Sequence, residues 1–430
     1  MEESAPGIDG KGETTAGGIT QDKTGIIRTK EGGRIFMDFG LSEEQLMLQH
    51  TIREFVKKEV KPILVDYYNR RDPKDPRPRE IRKKLFEMGL FKMSLAPKWG
   101  GDGASLLTQM IVCEELGAGD LVFAGGYPYQ MQTVRFLETF LNDQQKAEWY
   151  PIIVNDPYYV MSNCTTEEES SSDCTLPYDK PGATIKTFAY RDGDHFVING
   201  KKYWVTGGAD AKLYLVWCRN DRDKPISECF TALLVPRDTP GVSLGSLHEL
   251  MAADRIGNPA SAEVIFDNVR VPARNLVGEE GKMFWPRMNE FIHDYVCHHA
   301  CFLGVARTCY EQTLEYAKTR IQGGKPIIEH SNIAIRIADM RVAVEACRLM
   351  IQKVSWSWDN QKEYNRAMVF LMKSFVSDTL SRFYTDALDI WGGSGAVIES
   401  PIQRYFRSHF AGRHGGGTPD FCRIRAVKML

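Results

Sequence analysis

The chain lacks several things that would point to a nucleic-acid partner, a membrane or an oxidising compartment. Its 54 Lys and Arg stand against 56 Asp and Glu, a formal charge of -2. That leaves no basic surplus to neutralise phosphates, which argues against nucleic-acid binding. No run of about 18 apolar residues marks a membrane span. The first 30 residues have no apolar signal-peptide core, so a cytoplasmic location is expected. The ten cysteines contain no C-x-x-C pair, and Cys297 and Cys301 stand one helical turn apart rather than as a zinc ribbon. Reduced thiols and no metal are expected. Residues 1–36 have almost no large apolar side chains and cannot offset the entropy of ordering, so they are expected to form a disordered tail.

What is present is a large apolar reserve. With 430 residues, 43% of them apolar, the chain can bury the cores of two or three domains. Its most regular stretch begins at Phe284, where Ile292, Val296, Leu303, Ala306, Tyr310, Leu314 and Ala317 recur at helical spacing. Pro286 suits a first turn, and no Gly-rich break follows until Gly323-Gly324, so one long helix is expected through the middle of a bundle. About 200° round its axis from Ile292 stand Asp294, Cys297, His298 and Cys301. A carboxylate on a largely apolar helix needs a reason. From the sequence alone the simpler one is a solvated or hydrogen-bonded Asp. A metal held by Asp294, His298 and Cys301 would need a second element that the sequence does not identify.

The rest of the chain reads as three parts. Residues 37–156 are helical in pattern, with Ser42 as an N-cap ahead of Glu44 and Gln45 and a further helix from Asp143. Residues 157–278 carry short β-rich runs such as Leu213-Tyr-Leu-Val-Trp and Phe230-Thr-Ala-Leu-Leu-Val, separated by turn chemistry such as Asp192-Gly193. Residues 279–430 return to helical spacing. The expected fold is α+β: an N-terminal helical domain, a middle β barrel or sandwich, and a C-terminal helical bundle.

Several segments, in this order, resemble the acyl-CoA dehydrogenases, flavoproteins that oxidise an acyl-CoA thioester between its α and β carbons. They are Met37 to Gln45, Trp99-Gly-Gly-Asp-Gly, Asp143-Gln-Gln-Lys-Ala-Glu-Trp-Tyr-Pro, Lys201-Lys-Tyr-Trp204-Val-Thr206-Gly-Gly, Phe266-Asp-Asn-Val-Arg-Val-Pro, and Ile390-Trp-Gly-Gly-Ser-Gly395 with Arg404. The resemblance spans about 39–430. It implies FAD, with Trp204 against the flavin ring and the Thr206 hydroxyl at flavin N5. Thr165, Thr166, Ser172, Arg320, Asp389, Thr418 and Asp420 are implied as further cofactor-binding positions. Gly392 and Gly393 would lie in a loop that reaches the cofactor of a second subunit. It also implies an acyl-CoA substrate, an electron-transfer flavoprotein as acceptor, and a homodimer or homotetramer. Without the resemblance, Gly392-Gly393 is more simply a turn between helices, Trp204 core packing and Thr206 a strand residue.

The departures from the family pattern concern the site. Where the family has Thr-Glu-Pro-Gly-Ala-Gly-Ser-Asp, this chain has Thr166-Glu-Glu-Glu-Ser-Ser-Ser172-Asp173. Of the Arg-Lys-x-Phe-Gly segment only Arg320 and Gly324 remain, and Asp389 replaces a Gln. The family's late Tyr-Glu-Gly-Thr base motif falls on Gly415-Gly416-Gly417-Thr418, so the base position holds Gly416. Some members, isovaleryl-CoA dehydrogenase among them, place the base Glu on the long helix instead. That position is Asp294 here, so the resemblance implies Asp294 as the α-proton base, with His293 and His298 as fallbacks. Two other readings stay open: a redox-neutral acyl-CoA lyase or desulfinase on the same scaffold, and a non-catalytic acyl-CoA or flavin binding protein.

Overall fold

The computed structural model describes residues 19–21, 27–29, 40–70, 72, 74–176, 180–248, 251, 261–360 and 364–430, which divide into two units, Met1–Thr51 and Ile52–Leu430. In the first unit, strands β1 (Ile19–Gln21) and β2 (Ile27–Thr29) pair antiparallel, inside the segment expected to be a tail. The rest of that segment lies outside the described residues. Helix α1 (Glu43–Phe55) begins at a reciprocal cap. The Gln45 amide donates to Ser42 Oγ at 3.2 Å, and the Ser42 amide to Gln45 Oε1 at 3.1 Å. Two orphan N–H groups are thereby satisfied, as the Ser42 signal predicts.

The second unit runs helices, sheet, helices. Its first helices are α2 (Leu64–Arg70), α3 (Arg77–Glu87), α4 (Leu106–Gly119), α5 (Leu121–Phe140) and α6 (Asp143–Ile153). Nearly every side chain of α4 is buried, so it has no solvent-facing side and sits at the centre of the packing. The strands follow: β3 (Met161–Cys164), β4 (Phe188–Asp192), β5 (His195–Val205), β6 (Leu213–Arg219), β7 (Phe230–Pro236), β8 (Val242–His248), β9 (Ser261–Pro272) and β10 (Leu276–Val277). They join in one eight-stranded sheet in the order β10-β7-β6-β4-β5-β9-β8, with β3 parallel to β6. All seven residues of β6 are buried, the pattern of a strand covered on both faces.

The second set of helices is α7 (Phe284–Thr319), α8 (Ser331–Asn360), α9 (Ala367–Trp391), the single turn α10 (Gly393–Ala396), α11 (Pro401–Gly412) and α12 (Pro419–Val427). A hairpin of β11 (Ile321–Gln322) and β12 (Lys325–Pro326) turns at Gly323-Gly324, both at positive φ, which suits a two-residue turn. No helix among the described residues is long and apolar enough to cross a membrane.

Helix α7 is the spine, as its periodicity predicts. At its start, Met283 N–H donates to the Phe230 carbonyl of β7 at 2.9 Å, and Phe284 meets the Phe230 ring edge-on. Further along it crosses α4 backbone to backbone. A Cβ built on Gly304 would lie 2.0 Å from the Glu114 carbonyl oxygen, and one on Gly117 2.1 Å from that of Cys301. Arg307 seals the crossing with Glu114 at 2.9 Å and Glu115 at 2.6 Å, and Arg348 of α8 reaches Glu114 at 2.9 Å. Pinned to the sheet at one end and to α4 in its middle, α7 holds its turns from 287 to 302 beside the loops that leave β3 and β5.

Candidate active site

Those turns face a cavity of about 490 Å³. The wall from α7 is Arg287, Asp294, His298 and Phe302. Their spacings of seven, four and four put them on one stripe of the helix. The face expected from the sequence is therefore split: Asp294 and His298 turn to the cavity, whereas Cys297 and Cys301 are buried with Cys113 of α4. Among the described residues no group of His, Cys, Asp and Glu could hold a metal.

A second wall comes from the sheet. Thr165, Thr166 and Ser172 line the cavity from the loop after β3, and Trp204 and Thr206 from the end of β5. Trp204 stands at φ +53° where the β5–β9 register shifts, and the residue is 55% exposed. A bulky residue held there costs about 1–3 kcal/mol, a strain that clusters at functional sites. The bulge turns a flat indole into the open space, backed by His248 with ring centroids 4.1 Å apart. Trp204 is thus a platform rather than core packing.

The loop that replaces the family's Gly and Pro residues is held by charge. Lys202 is fully buried, and its Nζ lies 2.8 Å from Glu167 Oε1 and donates to the Thr165 carbonyl at 2.9 Å. The other Glu167 oxygen accepts from the Lys186 amide at 2.5 Å, and Oε1 also from Thr187 at 2.9 Å. Burial pushes the Glu167 carboxyl up, but Lys202 and these amides outweigh it and hold it below the usual range. Asp173 Oδ1 accepts from the Ser171 amide at 2.6 Å and from Ser170 Oγ at 3.1 Å. The Thr165 hydroxyl belongs to the wall itself, donating to Asn163 at 3.2 Å and accepting from Arg287 at 2.8 Å. Burial lowers the pKa of Arg287, whose guanidinium stacks on Trp217 at 4.5 Å.

The third wall is the late loop, Gly412 and Gly415 to Gly417. Its carbonyls are gripped from two helices. Lys373 of α9, fully buried, donates to the Arg413 carbonyl at 2.7 Å and to that of Gly417 at 2.5 Å; Tyr295 OH donates to Gly416 O at 2.6 Å. Burial pushes Lys373 down to about 8. Gly416 has φ +71°, and a Cβ built on it would lie 2.4 Å from Tyr295 Cε1. The place where the family carries its base motif has no room for a side chain here.

Asp294, by contrast, is at the cavity, and its Oδ1 lies 3.0 Å from His298 Nδ1. His293 points away. Burial pushes it down to about 3, its ring meets Trp358 edge-on at 5.4 Å, and it does not line the cavity. A neutral buried His takes up a proton on unfolding below pH 6.5, so its contribution is fully present above that pH and is lost as pH falls toward 3. We expect His293→Leu to remove about 2 kcal/mol of the stability difference between pH 7 and pH 5, read from urea unfolding of both proteins at each pH.

The remaining expected positions lie off this cavity. Arg320 is the C-cap residue of α7 and is exposed. Asp389 pairs with Arg336; Gly392 ends α9 and Gly393 opens α10 at the surface. Thr418 caps α12, accepting from Phe421 N–H at 3.2 Å, and Asp420 pairs with Arg423 at 2.9 Å. Arg287, Glu167, Lys202, Tyr295 and Lys373 were not expected from the sequence as catalytic or cofactor-binding residues. Of these, Arg287 had a readable signal, seven residues from Asp294 and so on its face.

The chain runs a helical first part, a sheet and a helical last part, and one cavity is lined by both Trp204 and Asp294; comparison with known proteins gives the class to which this arrangement belongs. Family models for the acyl-CoA dehydrogenase N-terminal, middle and C-terminal domains match residues 42–156, 162–269 and 286–428. The chain belongs to the acyl-CoA dehydrogenase family. Its relatives include the mitochondrial isobutyryl-CoA dehydrogenase of Dictyostelium discoideum, 28% identical over 86% of this chain and 84% of that one. A probable acyl-CoA dehydrogenase of Bacillus subtilis is 28% identical over 92% of this chain and all of that one. Butyryl-CoA dehydrogenase from Megasphaera elsdenii has a similar structure, with TM-score 0.82, 25% identity, and coverage of 91% of this chain and 99% of that one.

Proposed function

We propose that the protein is an FAD-dependent acyl-CoA dehydrogenase, or works in the reverse sense as an enoyl-CoA reductase, with the base at position 294 of α7 instead of in the late loop. The observation that carries this is the cavity itself. It sets Asp294 and His298 on one wall and Trp204, Thr166, Thr206 and Ser172 on another, while the family's usual base position is closed by the Tyr295 ring.

The residues present suit a flavin. Trp204 offers a planar face already strained into place, and the Thr166, Thr206 and Ser172 hydroxyls suit a flavin edge and its phosphates. When bound, FAD supplies the acceptor for a hydride from the β-carbon of the thioester. The chain supplies the rest. Asp294 and His298 stand ready to receive the α-proton. The charge that gathers on the thioester oxygen as that proton leaves needs a fixed donor. The late loop, its carbonyls tied back by Lys373 and Tyr295 and its Gly415 and Gly417 amides bonded to the Gly412 and His414 carbonyls, has the Gly416 amide as its candidate donor. Arg320, Asp389, Gly392 and Gly393, away from this cavity, serve a second copy's cofactor in a homodimer or homotetramer, and an electron-transfer flavoprotein takes the electrons onward.

The purified protein should be yellow, and one or more members of a panel of acyl-CoA thioesters should bleach it without oxygen. A yellow protein that turns thioesters over with no bleaching would instead be a lyase, and a colourless one that binds CoA esters a carrier.

A further inference from the structure

On the reading of the site as a thioester-deprotonating one, we infer that the α-proton ends on His298, with Asp294 as the group that orients it: the base is an Asp–His pair rather than a lone carboxylate.

Four observations converge on the pair. Asp294 is one methylene shorter than the Glu expected at this position, so its carboxylate stops nearer the helix. Its Oδ1 already faces His298 Nδ1 at 3.0 Å, the distance of a charge-assisted hydrogen bond. Facing a carboxylate, Nδ1 carries the proton, which makes Nε2 the basic nitrogen of the neutral ring. On its other side the ring lies offset-stacked on Phe302 one turn on, nearly parallel at 15° with centroids 6.3 Å apart. His298 lines the cavity together with Asp294, and its side chain is 17% exposed against 12%.

The surrounding charges fit this division of labour. Arg287 two turns earlier on α7, Lys373 from α9 and Tyr295 all feel the charge of Asp294, and His299 that of His298; His414 also lines the cavity. A cation formed on His298 is met by the Asp294 carboxylate in hydrogen-bond contact. In the step, the α-C–H bond breaks and an Nε2–H bond forms. The electron pair stays on the substrate as the thioester enolate, and Asp294 keeps its charge. This is the relation of the carboxylate to the imidazole in a Ser-His-Asp triad, transferred to a carbon acid.

Two measurements test it. In protein labelled with ¹⁵N-histidine, the His298 signals, identified by their loss in His298→Gln, should show a protonated Nδ1 and an unprotonated Nε2 when the ring is neutral. The opposite tautomer would overturn the proposal without reference to activity. The second is exchange of acyl-CoA α-protons with D2O, followed by NMR. His298→Asn keeps a donor for Asp294 but has no nitrogen in the place of Nε2. It should lower exchange 100-fold or more, with flavin content and CoA-ester affinity unchanged. Exchange within threefold of wild type would leave Asp294 as the acceptor and overturn the pair. Wild-type protein that exchanges no α-proton of any bleaching or binding thioester would overturn both the pair and the reading on which it rests.

Discussion

Asp294→Asn will bind its flavin and its thioester as the wild type does, yet reduction of the flavin by substrate will be slower by roughly two orders of magnitude or more, the usual contribution of a positioned proton acceptor. The replacement is isosteric. It keeps a polar group opposite His298 but removes the anionic oxygen, so it affects the proton step whether Asp294 receives the proton or orients the ring that does. Asp294→Glu should retain part of the rate, because it restores the side-chain length that the family uses. The obvious rescue, a Glu at Gly416, will not work in this chain. The Cβ of any residue there would meet Tyr295 Cε1 at 2.4 Å, at a backbone φ of +71°. Gly416→Glu on the Asp294→Asn background should stay inactive and lose stability, and only a second cut, such as Tyr295→Ala, makes the space. Stopped-flow reduction under anaerobic conditions reads these rates. A wild-type rate in Asp294→Asn would remove position 294 from the chemistry.

The largest loss of stability should come from Lys202→Met. The ammonium is fully buried between Glu167 Oε1 at 2.8 Å and the Thr165 carbonyl at 2.9 Å. Removing it leaves the Glu167 carboxylate in the interior with two amide donors but no counter-charge. Breaking a buried pair in this way costs about 3–5 kcal/mol. The loss will not be confined to stability. Lys202 ties the loop that carries Thr165 and Thr166 to β5, which carries Trp204, so flavin affinity should fall with it. Adding Glu167→Gln should recover much of the stability, because the stranded charge is gone, but less of the flavin affinity, because the tie to the Thr165 carbonyl is still missing. Urea unfolding and flavin titration separate the two. A Lys202→Met protein within 1 kcal/mol of wild type would show that the pair does not hold this wall.

The parts of this arrangement that were legible in the sequence are those with local causes. Helix α7 was readable over its length because apolar residues recur at 3.6-residue spacing, and Ser42 was readable as a cap because Gln45 stands three residues on. Trp204 and Thr206 came from resemblance, and nothing local distinguishes a platform tryptophan from a core one; the positive φ that does so is a property of the folded β5–β9 register. The split of the polar face of α7 was not readable. Asp294 and Cys297 are neighbours on a helical wheel, both buried, and only the packing of α4 decides that the thiol turns into the core and the carboxylate to the cavity. Lys202 was hidden for a similar reason: a Lys-Lys pair in a strand sends one side chain to each face, and which is inward depends on register. The grip of Lys373 and Tyr295 on the late loop joins residues 40 to 121 positions apart, beyond any pattern of spacing.

The proposed reaction removes one α and one β hydrogen from a thioester in this cavity. The direct measurement is the mass of the product formed when flavin-loaded protein meets, without oxygen, an acyl-CoA that bleaches it, carrying deuterium at both α positions. The expected product is an enoyl-CoA that has lost one α deuterium and one β hydrogen, one molecule per flavin reduced, formed more slowly than from the undeuterated thioester. A product at the oxidation level of the starting thioester, or a bleached flavin with the α-deuterium pair intact, would contradict it.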